Sequence, residues 1–275
     1  MQFIPARLDK EEIEYLKKNL AEKERCYDKD KQMLWRVINE KHYHSDLDSG
    51  AVVHETRSSL EYAVALMFTN APDNIRRGRD IIKTVLPMQE KDPDQPFCGV
   101  WPYYPEDPLA GRQAPVDYNW ADFMAIPLID VIINFSDHID NNLKEQIKDA
   151  LILAAHSIKK RNVQGDYTNI CIMGTYVCYI VGDLYDLPEI SDYARKKLSY
   201  FYNYTKDNKG FTEYNSPTYT VVARNISFKP HETKTIKVKV LDGKANAENK
   251  YPLEVRFDAG NDGFAVHWKD LFDTY

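Results

Sequence analysis

The sequence predicts a mainly α-helical protein of helical hairpins in two layers, followed by a small β-rich module. Segments that are apolar at nearly every position alternate with segments that are apolar on one face, which is typical of hairpins with one buried and one exposed helix. After residue 222 the pattern changes to about four short runs of alternating apolar and polar residues. We therefore predict a helical domain over 1–222 and a β-strand module over 223–275.

The N-terminal region begins with two predicted amphipathic helices. Ile13, Leu16 and Leu20 recur at helical spacing among charged residues, which predicts the first helix over 9–25. Apolar residues at similar spacing predict the second helix between residues 31 and 43. Both helices should expose one face to solvent.

The rest of the helical domain repeats one unit three times. Each unit consists of a polar and aromatic loop, an apolar helix, a short turn and an amphipathic helix. The apolar helices are predicted at 60–68, 120–135 and 170–181, and their amphipathic partners at 74–89, 141–160 and 190–205. Since each hairpin turns back on itself, the loops between hairpins should lie at one end and form a common rim.

The loops of this rim carry the polar and aromatic side chains. The longest loop, 92–118, contains six prolines, which exclude a helix, and its aromatic residues argue against disorder. The other three loops cover 52–59, 161–169 and 210–220. Sugar rings stack on tryptophan and tyrosine, and sugar hydroxyls bond to amides and carboxylates, so the rim suits a sugar polymer.

Composition argues against several other functions. The net charge is −6 and no basic block occurs, so nucleic acid is not an expected partner. No apolar run approaches the roughly 20 residues of a membrane span, and the N-terminus lacks the apolar segment of a signal peptide. The sequence as it stands predicts a cytoplasmic protein without a membrane partner, or a secreted or periplasmic protein if a leader was removed. The oligomeric state stays open, and a homo-oligomer is compatible with the sequence.

The cysteines give no sign of a metal or cofactor site. They are scattered at Cys26, Cys98, Cys171 and Cys178, without a Cys-x-x-Cys pair or a nearby histidine cluster. This spacing predicts reduced thiols and no zinc site. We expect no cofactor.

Four motifs in the helical domain resemble the (α/α)-toroid carbohydrate-active enzymes. They are Trp-Pro-Tyr-Tyr at 101–104, Asn-Trp-Ala-Asp at 119–122, Tyr-Thr-Asn-Ile at 167–170 with Met173 and Gly174, and Glu-Tyr-Asn-Ser-Pro-Thr-Tyr at 213–219. This superfamily includes six-hairpin glycosidases and heparinase II/III-like polysaccharide lyases. The resemblance, over about residues 50–220, implies a toroid or partial toroid that processes an oligosaccharide or polysaccharide.

Two mechanisms compete for the side chains of the rim. Hydrolysis needs one protonated carboxyl and a second carboxylate that activates water. β-Elimination from a uronate needs a phenol or imidazole base and a group that neutralises the developing enolate. We place a glycoside hydrolase first and a polysaccharide lyase second. A glycan-binding or scaffold protein without catalysis is the alternative from another functional class.

The candidate residues follow from these mechanisms. The predicted catalytic residues are Glu213, Asp117, Asp122, Tyr214, Tyr219 and His54. The predicted substrate-binding residues are Glu55, Arg57, Trp101, Tyr103, Tyr104, Asn119, Trp120, Tyr167, Asn169 and Asn215. Structural roles stay open for several of them, since His54 and Arg57 can pair with neighbouring acids, Asp117 can cap a helix, and the tryptophans can fill the core.

Overall fold

The protein is mainly α-helical over the residues that the computed structural model describes, which are 5–208, 233–239 and 252–258. The helices of these ranges are α1 (Lys10–Lys23), α2 (Thr56–Phe68), α3 (Pro72–Val85), α4 (Trp120–Phe135), α5 (Asn141–Arg161), α6 (Thr168–Leu184) and α7 (Pro188–Asp207). The strands are β1 (Tyr27–Asp28), β2 (Met33–Val37), β3 (Val52–His54), β4 (Thr233–Lys239) and β5 (Pro252–Asp258). The predicted mainly α class is confirmed.

The chain divides into two compact units. The first comprises residues 1–163 and 170–201, and the second comprises 164–169 and 202–275. In the second unit β4 and β5 form an antiparallel pair, which confirms two of the predicted C-terminal strands. The other two predicted strands, and the predicted boundary at residue 222, lie outside the described residues.

Helix α1 begins with a reciprocal cap. The Asp9 carboxylate accepts from the backbone N–H of Glu12 at 2.9 Å, and the Glu12 carboxylate accepts from the Asp9 N–H at 2.8 Å. These bonds satisfy N–H groups that have no partner inside the helix. Leu20 is buried and most of the other residues of α1 are exposed, so the predicted amphipathic helix is confirmed.

The second predicted N-terminal helix is wrong, because residues 33–37 form the central strand of a three-stranded antiparallel sheet. Strand β2 pairs with β1 on one side and with β3 on the other, where Trp35 lies opposite His54. The Asp28 carboxylate accepts from the backbone N–H groups of Asp30 and Lys31 and shapes the turn into β2. A strand with a partner on each side gains inter-strand hydrogen bonds. These partners cannot be recognised from the spacing of apolar residues within the segment itself.

The predicted hairpins are present in the first unit. Helix α3 packs on α2, α5 packs on α4, and α2 contacts α4. Between α6 and α7, a side chain at Gly182 would come within 2.4 Å of the Ser191 hydroxyl oxygen, so the two backbones approach closely at this glycine. None of the described helices has the length and hydrophobicity that a membrane crossing demands.

The segment between residue 89 and α4 is a packed loop, as its prolines predict. Gln89 enters the core, and its amide nitrogen donates to the carbonyls of Gly99 at 3.0 Å and Ala150 at 2.9 Å. Trp101 is 1% exposed, so this loop contributes to the core of the first unit. Because Ala150 belongs to α5, these bonds fix the loop against that helix.

Gly99 also lies against α5, and its replacement by alanine should destabilise the protein. Its φ is +88°, and a Cβ there would lie 2.4 Å from the carbonyl oxygen of Leu153 in α5. We expect Gly99→Ala to lower the free energy of unfolding by about 3 kcal/mol, since left-handed strain and backbone overlap add. Urea unfolding monitored by circular dichroism measures the change.

Gly111 provides a matched control for this prediction. Its φ is +80°, but a Cβ there would meet no atom within 4 Å. Gly111→Ala should therefore cost only the strain of about 1–2 kcal/mol. Equal losses for Gly99→Ala and Gly111→Ala would contradict the proposed contact between the loop and α5.

Candidate functional site

An aromatic and charged cavity of about 280 Å³ lies in the first unit, where β2, the start of α2, the 89–119 loop and the start of α4 meet. We call it the aromatic cavity. It is lined by Arg36, His42, Glu55, Arg57, Ser58, Glu61, Tyr103, Tyr104 and Trp120. Two of the four predicted rim loops, 52–59 and 92–118, thus meet at one place.

One wall of the cavity is a fixed pair of rings. The ring centroids of Tyr103 and Trp120 are 3.8 Å apart, and the Trp120 indole N–H donates to the Thr56 hydroxyl at 3.1 Å. The Tyr103 hydroxyl donates to the Asp117 carboxylate at 2.5 Å. Burial, together with this carboxylate, raises the pKa of Tyr103 far above its usual value, so the phenol stays neutral. Asp117 therefore positions a ring of the wall.

The cavity also carries two arginine–glutamate pairs. The Arg36 Nε lies 2.9 Å from a Glu55 carboxylate oxygen, and the Arg57 Nε lies 2.8 Å from Glu61. Arg36 also donates to the Tyr104 hydroxyl oxygen at 2.6 Å. Although burial opposes the positive charge, Tyr104 and Glu55 favour it, and the net effect raises the pKa of Arg36.

The arginines keep binding capacity beyond these pairs. A guanidinium has five N–H donors in a planar fork that suits carboxylates. The Arg57 guanidinium also lies 4.1 Å from the centre of the Phe123 ring, which fixes its plane. The cavity therefore combines an aromatic surface with cationic donors and carboxylate acceptors.

A family model described as "Domain of unknown function (DUF8769)" matches residues 14–226, which is most of the chain. The chain belongs to the DUF8769 family. The match includes every residue of the aromatic cavity. Neither a curated protein nor a solved structure matches the chain. Because the DUF8769 description states no activity, the chemistry of the cavity is the basis for a functional proposal.

This DUF8769 chain brings together five of the predicted substrate-binding residues. Glu55, Arg57, Tyr103, Tyr104 and Trp120 all line the aromatic cavity. Among the other predicted residues, Trp101 is a core residue, and Asn119 is buried at the start of α4. Tyr167 and Asn169 belong to the second unit. The predicted residues Glu213, Tyr214, Asn215 and Tyr219 lie outside the described residues.

His54 does not line the aromatic cavity. Its Nδ1 lies 2.6 Å from the Glu106 carboxylate, and its Nε2 lies 3.2 Å from the Asp28 carboxylate. Both ring nitrogens therefore face protein carboxylates, and neither is open to a ligand. His54 therefore joins β3 to the 89–119 loop through Glu106 and to the end of β1 through Asp28.

Asp122 is also separate from the aromatic cavity. It is 1% exposed and lies beside Arg161 in a second, smaller cavity. Burial is the main cause that raises the pKa of Asp122 to about 7, and the nearby positive charge of Arg161 opposes it. A carboxyl with this property could serve acid catalysis, but it does not reach the aromatic wall.

Sequence reasoning missed four residues of the cavity, namely Arg36, His42, Ser58 and Glu61. The first two belong to the segment that was predicted as a helix, so their positions could not be assigned. Glu61 could have been identified from the sequence, because it follows Arg57 by four residues, which is the spacing of an ion pair on a helix. Within the described ranges, no three His, Cys, Asp or Glu side chains are grouped to hold a metal ion.

Proposed function

We propose that this protein processes an oligosaccharide or polysaccharide, which it binds in the aromatic cavity. The observation that carries this proposal is the Tyr103–Trp120 ring pair beside two arginine–glutamate pairs. Sugar rings stack on such a surface, and charged groups beside it orient the sugar hydroxyls. The motif resemblance to the (α/α)-toroid enzymes supports the same substrate class.

We extend the proposal to the arrangement of the hairpins. The pairs α2–α3, α4–α5 and α6–α7 would form part of an (α/α) toroid, and β4–β5 would belong to the module that follows it. The alternation of buried and exposed helices supports this arrangement. An open, partial toroid would leave the aromatic cavity accessible to a long polymer.

The guanidinium N–H donors of the cavity favour an acidic sugar. Arg36 and Arg57 both line it, and each has N–H donors beyond those used in its glutamate pair. A uronate carboxylate would accept two of these N–H groups at once. We therefore place a uronate-containing glycan ahead of a neutral one.

For bond cleavage we propose β-elimination with Tyr104 as the base. In its phenolate form Tyr104 would take the proton α to the uronate carboxylate and become a neutral phenol, and the electron pair of the broken C–H bond would form a carbon–carbon double bond. The bond to the leaving oxygen breaks in the same process, and that oxygen takes a proton from solvent or an acid. Arg36, 2.6 Å from the Tyr104 oxygen, would stabilise negative charge there, and Arg57 would neutralise the enolate.

Hydrolysis is the second candidate, because two carboxylates, Glu55 and Glu61, line the same cavity. An acid and a carboxylate flanking the glycosidic bond are what a glycosidase needs. Each carboxylate is in an ion pair with an arginine, so one of them would have to leave its partner to donate a proton. For this reason we rank hydrolysis below elimination as the proposed mechanism.

One experiment separates these functions. Purified protein is incubated with neutral and uronate oligosaccharides, and new reducing ends and the ultraviolet absorbance of an unsaturated uronate are followed together. Both signals would indicate elimination, and reducing ends alone would indicate hydrolysis. Binding without either signal would identify a glycan-binding protein, and no binding to any sugar would contradict the proposal.

The role of Arg36 in binding acidic sugars can be tested by substitution. We expect Arg36→Gln to weaken binding of a uronate oligosaccharide by about 10- to 100-fold, since a charged hydrogen bond contributes about 1.5–3 kcal/mol. Binding of a neutral oligosaccharide should change little. Isothermal titration calorimetry measures both affinities.

Arg76→Gln is the matched control, because Arg76 is an exposed arginine of α3 that pairs with Asp73 away from the cavity. It should leave both affinities unchanged. An equal loss for acidic and neutral sugars in Arg36→Gln would contradict a specific contact with the carboxylate.

A further inference from the structure

A second polar cluster lies among helices α4, α5, α6 and α7 and shares no residue with the aromatic cavity. Its cavity has a volume of about 10 Å³. Polar and ionisable side chains of all four helices line it, namely Asp122, Arg161, Cys171, Thr175, Tyr193 and Lys197. The proposed function makes no use of this cluster.

Asp122 is the least solvated charged group of the cluster. It is 1% exposed, and within the described residues its Oδ1 has no hydrogen-bond partner. The Arg161 Nη1 lies 3.8 Å from Oδ2, beyond hydrogen-bond distance, and is itself buried without a hydrogen bond to any part of the chain that the structure describes. Burial of an ionised carboxylate with an unbonded oxygen is strongly disfavoured, whereas a protonated carboxyl is tolerated.

Helix α6 leaves room for this carboxyl. A Cβ at Gly174 would lie 2.6 Å from the Asp122 Oδ1 and 2.8 Å from the Ile158 Cγ2. The carboxyl therefore lies against the backbone of α6 and close to a side chain of α5. A change in the charge of Asp122 therefore acts on both α5 and α6.

The groups that face Asp122 differ from helix to helix. Arg161 faces it from α5, and the thiols of Cys171 and Cys178 lie near it on α6. Burial and the Asp122 charge both raise the pKa of Cys178, so this thiol stays neutral. The charge of Asp117, in the loop before α4, also raises the pKa of Asp122.

Helix α7 contributes Tyr193 and Lys197. The Lys197 amine is buried and donates to the Asn162 side-chain oxygen at 2.9 Å, and no carboxylate of the described residues pairs with it. Burial lowers the pKa of Lys197, and burial raises the pKa of Tyr193. The cluster therefore holds two basic side chains and a single carboxyl, and ionisation of that carboxyl would attract Arg161.

We propose that Asp122 is an internal proton-binding site that couples protonation to the packing of α4 against α5, α6 and α7. In the protonated form the carboxyl is neutral and Arg161 stays apart. In the ionised form the carboxylate draws Arg161 within hydrogen-bond distance and shifts the end of α5. This role is independent of any sugar chemistry.

The direction of the pH dependence follows from the pKa values. The pKa of Asp122 in the folded protein is about 7, against 3.8 for an ordinary aspartate, so the folded state binds this proton more tightly than the unfolded state. The stability that Asp122 contributes is therefore greatest at acidic pH. It falls as pH rises from the unfolded value through the folded value, and then levels off.

The test is the thermal unfolding of the full chain between about pH 5 and about pH 8. We expect the Tm of the wild type to fall over this range and Asp122→Asn to remove most of the fall. Asp149→Asn is the control, because Asp149 is an exposed aspartate of α5. It should keep most of the fall. Equal pH dependence in the wild type and Asp122→Asn would overturn the proposal.

A direct titration covers the case in which Asp122→Asn fails to fold. The carbonyl stretch of a protonated carboxyl is followed by infrared spectroscopy across the same pH range in the wild type and in Arg161→Gln. We expect the midpoint to move to higher pH in Arg161→Gln, because Arg161 opposes protonation of Asp122. An unchanged midpoint, or no protonated carboxyl near pH 6, would refute the role.

Discussion

Tyr104→Phe should abolish most product formation from uronate oligosaccharides and leave their binding intact. Removing a general base typically lowers the rate by about 10²–10⁴-fold. The packing should survive, because the Tyr104 ring is 3% exposed and belongs to a small apolar cluster with Ile38 and Val53 that a phenylalanine can fill. Initial rates from the ultraviolet signal and affinities from calorimetry give the two quantities separately.

The control for this prediction is Tyr43→Phe. Tyr43 is 76% exposed and does not line the aromatic cavity, so its hydroxyl should be dispensable. Normal turnover by Tyr104→Phe would remove the base from the proposed mechanism. If the rate falls together with the affinity, Tyr104 would be a binding residue only.

Asp107→Ala should destabilise the protein by about 3–5 kcal/mol, because it would leave a buried arginine without its partner. The side chains of Asp107 and Arg112 are 6% and 2% exposed, and their closest charged atoms are 3.5 Å apart. The same Asp107 oxygen accepts from the backbone N–H of Asp46 at 3.3 Å. Denaturant unfolding measures the loss.

A double variant separates the charge effect from lost packing. Replacing both residues by leucine removes the uncompensated charge, so Asp107→Leu with Arg112→Leu should recover most of the stability. The coupling between the two sites is obtained from a double-mutant cycle. A double variant as unstable as Asp107→Ala would show that the ion pair itself is not what stabilises this loop.

The helices could be predicted from the sequence because their signals are local. The predicted bounds of α4, 120–135, are those of the structure, since an apolar run bounded by a turn and by Ser136 needs no distant information. The strand β2 could not be predicted in this way. It pairs with β1 and β3, which lie before and after it in the chain, and the spacing of residues within 31–43 carries no information about these partners.

The candidate site was predictable where residues lie at the start of a correctly assigned helix. Glu55 and Arg57 precede or begin α2, and Trp120 begins α4, so the hairpin geometry places them together. The two tryptophans Trp101 and Trp120 were indistinguishable in sequence. Packing separates them, because Trp101 is 1% exposed and Trp120 lines the cavity.

The two hydrogen bonds of Gln89 have a consequence for the order of folding. They join the loop that carries Tyr103 and Tyr104 to Ala150, a partner far along the chain. Contacts of this kind form only after a long loop has closed, which costs entropy before any contact forms. We therefore expect the α4–α5 hairpin to fold first and the aromatic wall to be completed late.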